Sequence, residues 1–356
     1  PAGVAYVAGI ESTVTYYREA LENIGIEPQF VHVGNYKTAI EPFERTGPSE
    51  AAIEANEALL ESLYVRITSE IAQSRNMPEQ EVRQAIDDLN MTPEGVIESG
   101  LLDGVAYPDV LKKTFDANQD DGWIQTLKDL PDSNEEDDKP TFISGKKYRQ
   151  NIVLEADDGE GTVAIVFAEG VILSGRGEEG LFGSSGLFDG RYREWMRDAR
   201  DDDDIKAVVV RVNSPGGSAL ASDFMWREVA VTKALGKPVV ISMGDYAASG
   251  GYMMSCNADW IVAQPTTITG SIGVFGQFFS LAGTYEKIGL SEYTFKRGQR
   301  ADLLTQMDVF DAQEKEILQA WVEDTYEDFV GQVATGRGRT VEEIEPVAQG
   351  RVWTGD

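Results

Sequence analysis

"AVVVRVNSPGGSALASDFMWREVAVTKALGKPVVISM", Ala207–Met243, decides the fold class. Two β-branched runs, "AVVVRV" and "PVVISM", flank one helical stretch that is closed by Gly236 and followed by Pro238. Glycine just past the last periodic residue and proline beyond it are helix stop signals. Neither apolar run alternates with polar residues, which predicts strands covered on both faces. "TVAIVFA" upstream and "WIVAQP" downstream have the same character. Strands alternating with helices in this way predict an α/β domain with a largely parallel sheet.

Upstream, "LPDSNEEDDKP", Leu130–Pro140, is acidic and bounded by prolines, which is linker composition. The expected organisation is a first segment over residues 1–130, a linker and connecting stretch over 131–160, and the α/β segment over 161–356. In the first segment "PSEAAIEANEALLESLYVRITSEIAQSR" carries Ile53, Leu59, Leu60, Leu63, Ile67 and Ile71 at helical spacing behind Pro48 and Ser49. That predicts one long amphipathic helix. The two sides also resemble each other. "IGIEPQFVHVG" (Ile24–Gly34) aligns with "IGLSEYTFKRG" (Ile288–Gly298), and Tyr64, Ile67, Ile71 and Arg75 align with Tyr326, Phe329, Val333 and Arg337, at offsets of about 264 and 262 residues. We read this as an internal duplication whose first copy lacks its beginning.

The 356 residues carry a formal net charge of −30, from 61 acidic and 31 basic side chains. Such a field repels phosphate backbones and leaves no basic stripe, so nucleic acid is not an expected partner. Acidic runs such as Asp201–Asp204 read as solvated turns, because consecutive side chains cannot converge on one ion. One cysteine, Cys256, permits neither an intrachain disulfide framework nor a multi-cysteine metal site. No apolar run approaches the roughly 18 residues a bilayer span needs. The chain starts on Pro1 and stops at "VWTGD", which reads as a piece excised from a longer protein.

Two turns carry chemistry. "DYAASGGYMMS", Asp245–Ser255, puts Ser249 after a strand and before a helix, among the smallest residues available. Glycines permit close backbone approach there, and a helix N-terminus favours an anion, although the same composition serves tight packing of a helix on a sheet. "RVNSPGGS", Arg211–Ser218, also follows a strand. Gly216 and Gly217 can turn their amides toward a carbonyl as an oxyanion hole, or simply make a β-to-α turn capped by Ser218. Turns at neighbouring strand ends meet in one crevice, where α/β sheets bind ligands.

A serine nucleophile needs a base. The single histidine, His32, lies in a strand-like stretch, and its counterpart in the second copy is Lys296. Lysine is the recognised alternative. In "VGNYKTAIEPF", Lys37 stands among Tyr36, Ala39, Ile40 and Phe43, which predicts an apolar pocket able to lower its pKa by desolvation. An ordinary turn lysine is the other reading of that stretch.

"GNYKTAIEPFER", "VNSPGGSALAS", "YAASGGYMMS" and "TGSIGVFG" together resemble bacterial signal peptide peptidase A, the protease IV family, in its longer duplicated form. The resemblance extends over essentially the whole chain. It implies tandem crotonase-like or caseinolytic-protease-like repeats, with Ser249 as nucleophile and Lys37 as general base, Thr38 replacing the family's serine. It further implies Ser271 as the hydroxyl that orients the lysine and Gly216, Gly217 and Gly250 as candidates for the oxyanion hole, with no cofactor or metal. Ala301 aligns with Lys37, so neither copy holds a full dyad. The implied work is cleavage of spent signal peptides and other hydrophobic peptides at the bacterial inner membrane. The implied setting is a homo-oligomer, expected as a tetramer, facing the periplasm and anchored by a segment outside this chain. A crotonase-like acyl-coenzyme A enzyme and a catalytically silent scaffold are the alternatives, separable by labelling with a serine-reactive fluorophosphonate.

Overall fold

The structure is a computed structural model, and it describes residues 9–88, 93–104, 162–177, 186–288, 290, 303–304 and 308–356. The Leu130–Pro140 linker and Ala301 lie outside these residues, as does most of Ile288–Gly298. In chain order the first elements are α1 (Arg18–Ile24), β1 (Glu27–Val33), α2 (Glu41–Glu44), α3 (Glu50–Arg75), α4 (Glu79–Asp88) and α5 (Pro93–Glu98). Then come β2 (Thr162–Glu169), β3 (Ile172–Leu173), β4 (Leu187–Phe188), α6 (Asp189–Asp201), β5 (Ile205–Ser214), α7 (Ala219–Ala234), β6 (Val239–Ala248) and α8 (Gly250–Met253). The last are β7 (Trp260–Val262), β8 (Ile268–Gly270), β9 (Val274–Ser280), α9 (Ala282–Ile288), α10 (Ala312–Arg337), α11 (Val341–Ile344) and β10 (Val352–Thr354).

The chain divides into two compact units, one formed by Pro1–Ile10 with Tyr64–Glu160, the other by Glu11–Leu63 with Gly161–Asp356. In the first, the end of α3 and the short helices α4 and α5 bury Val82, Ile86 and Val96. There Arg75 donates two bonds to the Asp103 carboxylate, at 2.8 and 2.7 Å.

The second unit is mixed α/β. Its main sheet runs β10-β8-β6-β5-β2, with β7 also paired to β6, and every pair is parallel except the antiparallel β8–β10. The predicted strand–helix–strand unit is β5–α7–β6. Ser218 caps α7 by accepting from the Ala221 amide, and Gly236, at φ +88°, turns the chain out of it. Val208, Val210 and Val212 of β5 and Val239, Ile241 and Met243 of β6 are buried against Met225 and Val229 of α7 and Tyr192 and Met196 of α6.

The other face differs from the expectation of strands covered on both sides. Val163, Ile165 and Phe167 of β2 are 53%, 61% and 59% exposed, and Trp260 of β7 is 71% exposed. Strand composition reports apolar character but not whether a second layer exists; among the described residues none packs over these side chains.

The predicted long helix is α3, and Ser49 accepts from the Ala52 amide at its start. Its proposed counterpart α10 opens with a reciprocal capping box between Asp311 and Glu314 and closes at Gly338 in the left-handed region. Leu318, Val322, Tyr326, Phe329, Val330 and Val333, at helical spacing, form its buried stripe. Beside it, β1 and β9 make a separate antiparallel pair from Glu27↔Ser280 to Val33↔Val274.

Candidate active site

Strand register brings three distant segments together. Ala248 at the end of β6 pairs with Gly270 at the end of β8, so Ser249 and Ser271 leave the sheet side by side. Because Val33 pairs with Val274, the chain leaving β1 at Gly34–Lys37 emerges beside Ser271–Gly273. Lys37 Nζ thereby lies 3.1 Å from Ser249 Oγ, 2.9 Å from Ser271 Oγ and 3.2 Å from the Ser271 carbonyl oxygen.

Both serines have left-handed backbones, Ser249 at φ +51° and Ser271 at φ +49°. L-residues pay of order 1–3 kcal/mol for such conformations, so the surroundings must enforce them. The Ser249 amide donates to the Gly270 carbonyl at 2.9 Å and the Ser271 amide to the Arg351 carbonyl at 2.7 Å. Behind Ser249, a Cβ on Gly250 would overlap the buried hydroxyl of Ser222. The expected helix after Ser249 is only the four residues of α8. So short a helix contributes its free amides rather than a sizeable dipole.

The Pro215-Gly216-Gly217 turn is held by β3, with the Ile172 amide donating to the Gly216 carbonyl at 2.8 Å and the Ser218 amide to the Ile172 carbonyl at 2.9 Å. The Gly216 amide donates to Ser214 Oγ at 3.2 Å. The Gly217 and Gly250 amides have no hydrogen-bond partner among the described residues. Both glycines line the cleft that contains Ser249.

Lys37 is 5% exposed, and burial lowers its amine from the ordinary lysine value to about 8. Of the four residues expected around it, Ile40 is buried and Phe43 partly buried. Tyr36 is partly exposed and Ala39 exposed. The amine lies 5.8 Å from the centre of the Phe275 ring, Cδ packs by Gly273, and Gly350 presses on Cβ. A neutral amine has two N–H bonds and one lone pair. As an ammonium Lys37 donates to Ser249 Oγ as well as to Ser271; in the neutral form, with both N–H groups given to Ser271, the lone pair is left to accept from the Ser249 hydroxyl. His32 sits on β1 opposite Phe275, and its carbonyl accepts from Gln319 Nε2 at 3.3 Å.

Ser249 opens into a cleft of about 430 Å³ lined by Leu220, Met253, Val274, Phe275, Val322 and Phe329, with Trp321 among the residues at its edge. Val274 and Phe275 come from the apolar "GVFGQFF" stretch, Gly273–Phe279. The α10 side chains were read only as a helix stripe, because residues this far along the chain carry no local sign of facing the serine.

The sequence profile of peptidase family S49 matches residues 1–119 and 232–356. The chain belongs to peptidase family S49. Among S49 and related proteins, it is 33% identical over its whole length to "Protease 4" of Salmonella typhi and 34% identical to "Serine protease SPPA, chloroplastic" of Arabidopsis thaliana, covering 56% and 51% of them. It is 30% identical over 64% of its length to a "Putative signal peptide peptidase SppA" of Enterococcus faecium, covering 68% of that protein. The chain therefore spans about half the length of the longer relatives. A ClpP1 mutant of Listeria monocytogenes overlaps 53% of this chain, and 82% of its own, at 14% identity and a TM-score of 0.31.

Proposed function

We propose that this S49 chain is the catalytic part of a serine endopeptidase that uses a Ser249–Lys37 dyad on hydrophobic peptides, cleaved signal peptides among them. The observation that carries this reading is the 3.1 Å approach of the Lys37 amine to the Ser249 hydroxyl within one chain, with Ser271 holding the amine from behind. Neutral Lys37 takes the Ser249 proton as Oγ attacks the peptide carbonyl carbon. The resulting oxyanion accepts from the Gly217 and Gly250 amides, which have no other partner among the described residues, while the Gly216 amide is engaged by Ser214. The Lys37 ammonium then protonates the departing amide nitrogen, leaving an ester on Ser249. Water, deprotonated by the same amine, attacks that ester, and the acid leaves as Ser249 recovers its proton.

The apolar cleft supports hydrophobic peptides as substrates, because a charged side chain there would lose its hydration without a partner. The Enterococcus faecium relative, named for signal peptides, supports these as a source. We further propose work at the bacterial inner membrane on the periplasmic side, in a homo-oligomer. None of the described helices is long and apolar enough to cross a membrane.

The test is made in the full-length protein. Ser249→Ala and Lys37→Ala are each expected to lose at least about 1,000-fold in turnover of an unfolded hydrophobic peptide, in line with removal of one member of a nucleophile–base pair. Full activity in either variant rejects the dyad.

A further inference from the structure

The Lys37 loop is held by a segment that takes no part in the chemistry. Gln349–Arg351, in the turn before β10, touches the site through its backbone. The Tyr36 amide donates to the Gln349 carbonyl at 2.9 Å, the Gly350 amide to the Ile272 carbonyl at 2.7 Å, and the Ser271 amide to the Arg351 carbonyl at 2.7 Å. Gly350 is at φ +75°, and a Cβ there would lie 2.7 Å from Lys37 Cβ. This turn is therefore one wall of the lysine's burial.

The side chain of Arg351 acts on the same loop from outside. Its guanidinium carbon is 5.0 Å from the Tyr36 ring centre and 4.8 Å from the Trp353 ring centre. In the remaining direction Arg351 NH1 donates to Glu54 Oε1 at 2.9 Å, and the Tyr36 hydroxyl donates to Glu54 Oε2 at 2.8 Å. Glu54, near the start of α3, thus closes a ring through Tyr36 and Arg351. Only arginine offers a flat cation that can stack on aromatic faces while donating in its own plane.

We propose that Arg351 is a positioning residue: through Tyr36 and Glu54 it clamps the Lys37 loop, and through its carbonyl it fixes Ser271, keeping the amine aligned with Ser249. The proposal rests on the Ser249–Lys37 reading above. The groups packed on Lys37, from Ser249, Ser271, Gly273, Phe275 and Gly350, carry no charge, so the amine's proton equilibrium follows its burial. Opening the clamp admits water, moves the amine back toward the ordinary lysine value and leaves less of it neutral near pH 7.

The experiment measures kcat and KM against pH for the full-length protein and its Arg351→Ala, Arg351→Lys and Tyr36→Leu variants, with Lys37→Ala as control. Arg351→Ala is expected to lower kcat at pH 7 by about tenfold, to leave KM within about twofold, and to move the acid limb up by about one pH unit, since one unit is a factor of ten. Arg351→Lys keeps the charge but not the flat face, so it is expected to show most of the same change. Should Arg351→Ala fail to fold, Arg351→Lys and Tyr36→Leu carry the same readout. Wild-type kcat and pH profile in the folded Arg351 variants overturn the clamp, even if their melting temperatures drop, because that pattern is what a purely structural contact produces. Full activity in Lys37→Ala would instead remove the base assignment, and the clamp with it.

Discussion

A lysine amine titrating at about 8 rather than near 10.5 is a group that the fold disfavours in its charged form. The sign for stability follows. Below about pH 8 the folded and unfolded chains both carry the proton, and the folded chain bears the cost of a buried ammonium. Between about 8 and 10.5 the unfolded chain binds more protons than the folded one, so stability rises with pH across that window. Lys37→Met is therefore predicted to be more stable than the parent by about 2 kcal/mol at pH 7, after allowing for lost hydrogen bonds, with the advantage shrinking toward pH 10. Urea melts of both proteins at pH 7 and pH 10 measure this. A Met variant less stable at pH 7 contradicts the desolvation account. The same titration sets the activity profile, which is expected to rise through about pH 8 as the amine becomes neutral.

At the scale of elements, the site is a product of register. Ala248↔Gly270 and Val33↔Val274 put the serines and the lysine at adjacent strand ends, and the glycine turns let the backbones close on each other. Gly250→Ala is predicted to cost about 1–3 kcal/mol and to displace Ser249, because its new methyl overlaps Ser222 Oγ. Adding Ser222→Ala removes that oxygen and is predicted to recover part of the stability and of the fluorophosphonate labelling rate; a double variant no better than Gly250→Ala would place the strain elsewhere. Much of this level was legible in the sequence. The β5–α7–β6 unit and the caps at Ser49, Ser218 and Gly236 follow from residue type and spacing, whereas Lys37 as the partner of Ser249 is implied by the family resemblance, the residues alone leaving an ordinary turn lysine open. Three features do not follow. β2 has the composition of a doubly covered strand, yet among the described residues Ile165 and Phe167 are more than half exposed, since composition reports apolar character and not the presence of a second layer. Tyr36 and Ala39 flank Lys37 in sequence, but Tyr36 is partly exposed and Ala39 exposed, so neighbourhood along the chain does not measure the burial of the amine. Gly350, which presses on Lys37, and Arg351, whose carbonyl accepts from the Ser271 amide, lie more than 300 residues along the chain and carry no local mark of those roles.

Over the whole molecule, the proposed chemistry is divided between segments 212 residues apart. The family profile likewise matches residues 1–119, which hold Lys37, and 232–356, which hold Ser249 and Ser271. In the duplication we propose, each copy keeps one partner of the dyad, and the 26-residue helices α3 and α10, with matching residues about 262 apart, are counterparts. Such a division makes the site depend on noncovalent association of the two segments, chiefly through the seven residue pairs of β1 and β9 and the contacts of the Lys37 loop with Gly350 and Ser271. A chain divided within Leu130–Pro140 should therefore complement. The fragment carrying Ser249 is predicted to react with a fluorophosphonate at least about 100-fold more slowly than the intact chain, because an unassisted serine hydroxyl is a weak nucleophile. Coexpression with the fragment carrying Lys37 is predicted to restore labelling, and coexpression with its Lys37→Ala form is predicted not to. Equal labelling of the serine fragment alone would mean that Ser249 draws its base from its own half of the chain, and the division of labour between the halves would be lost.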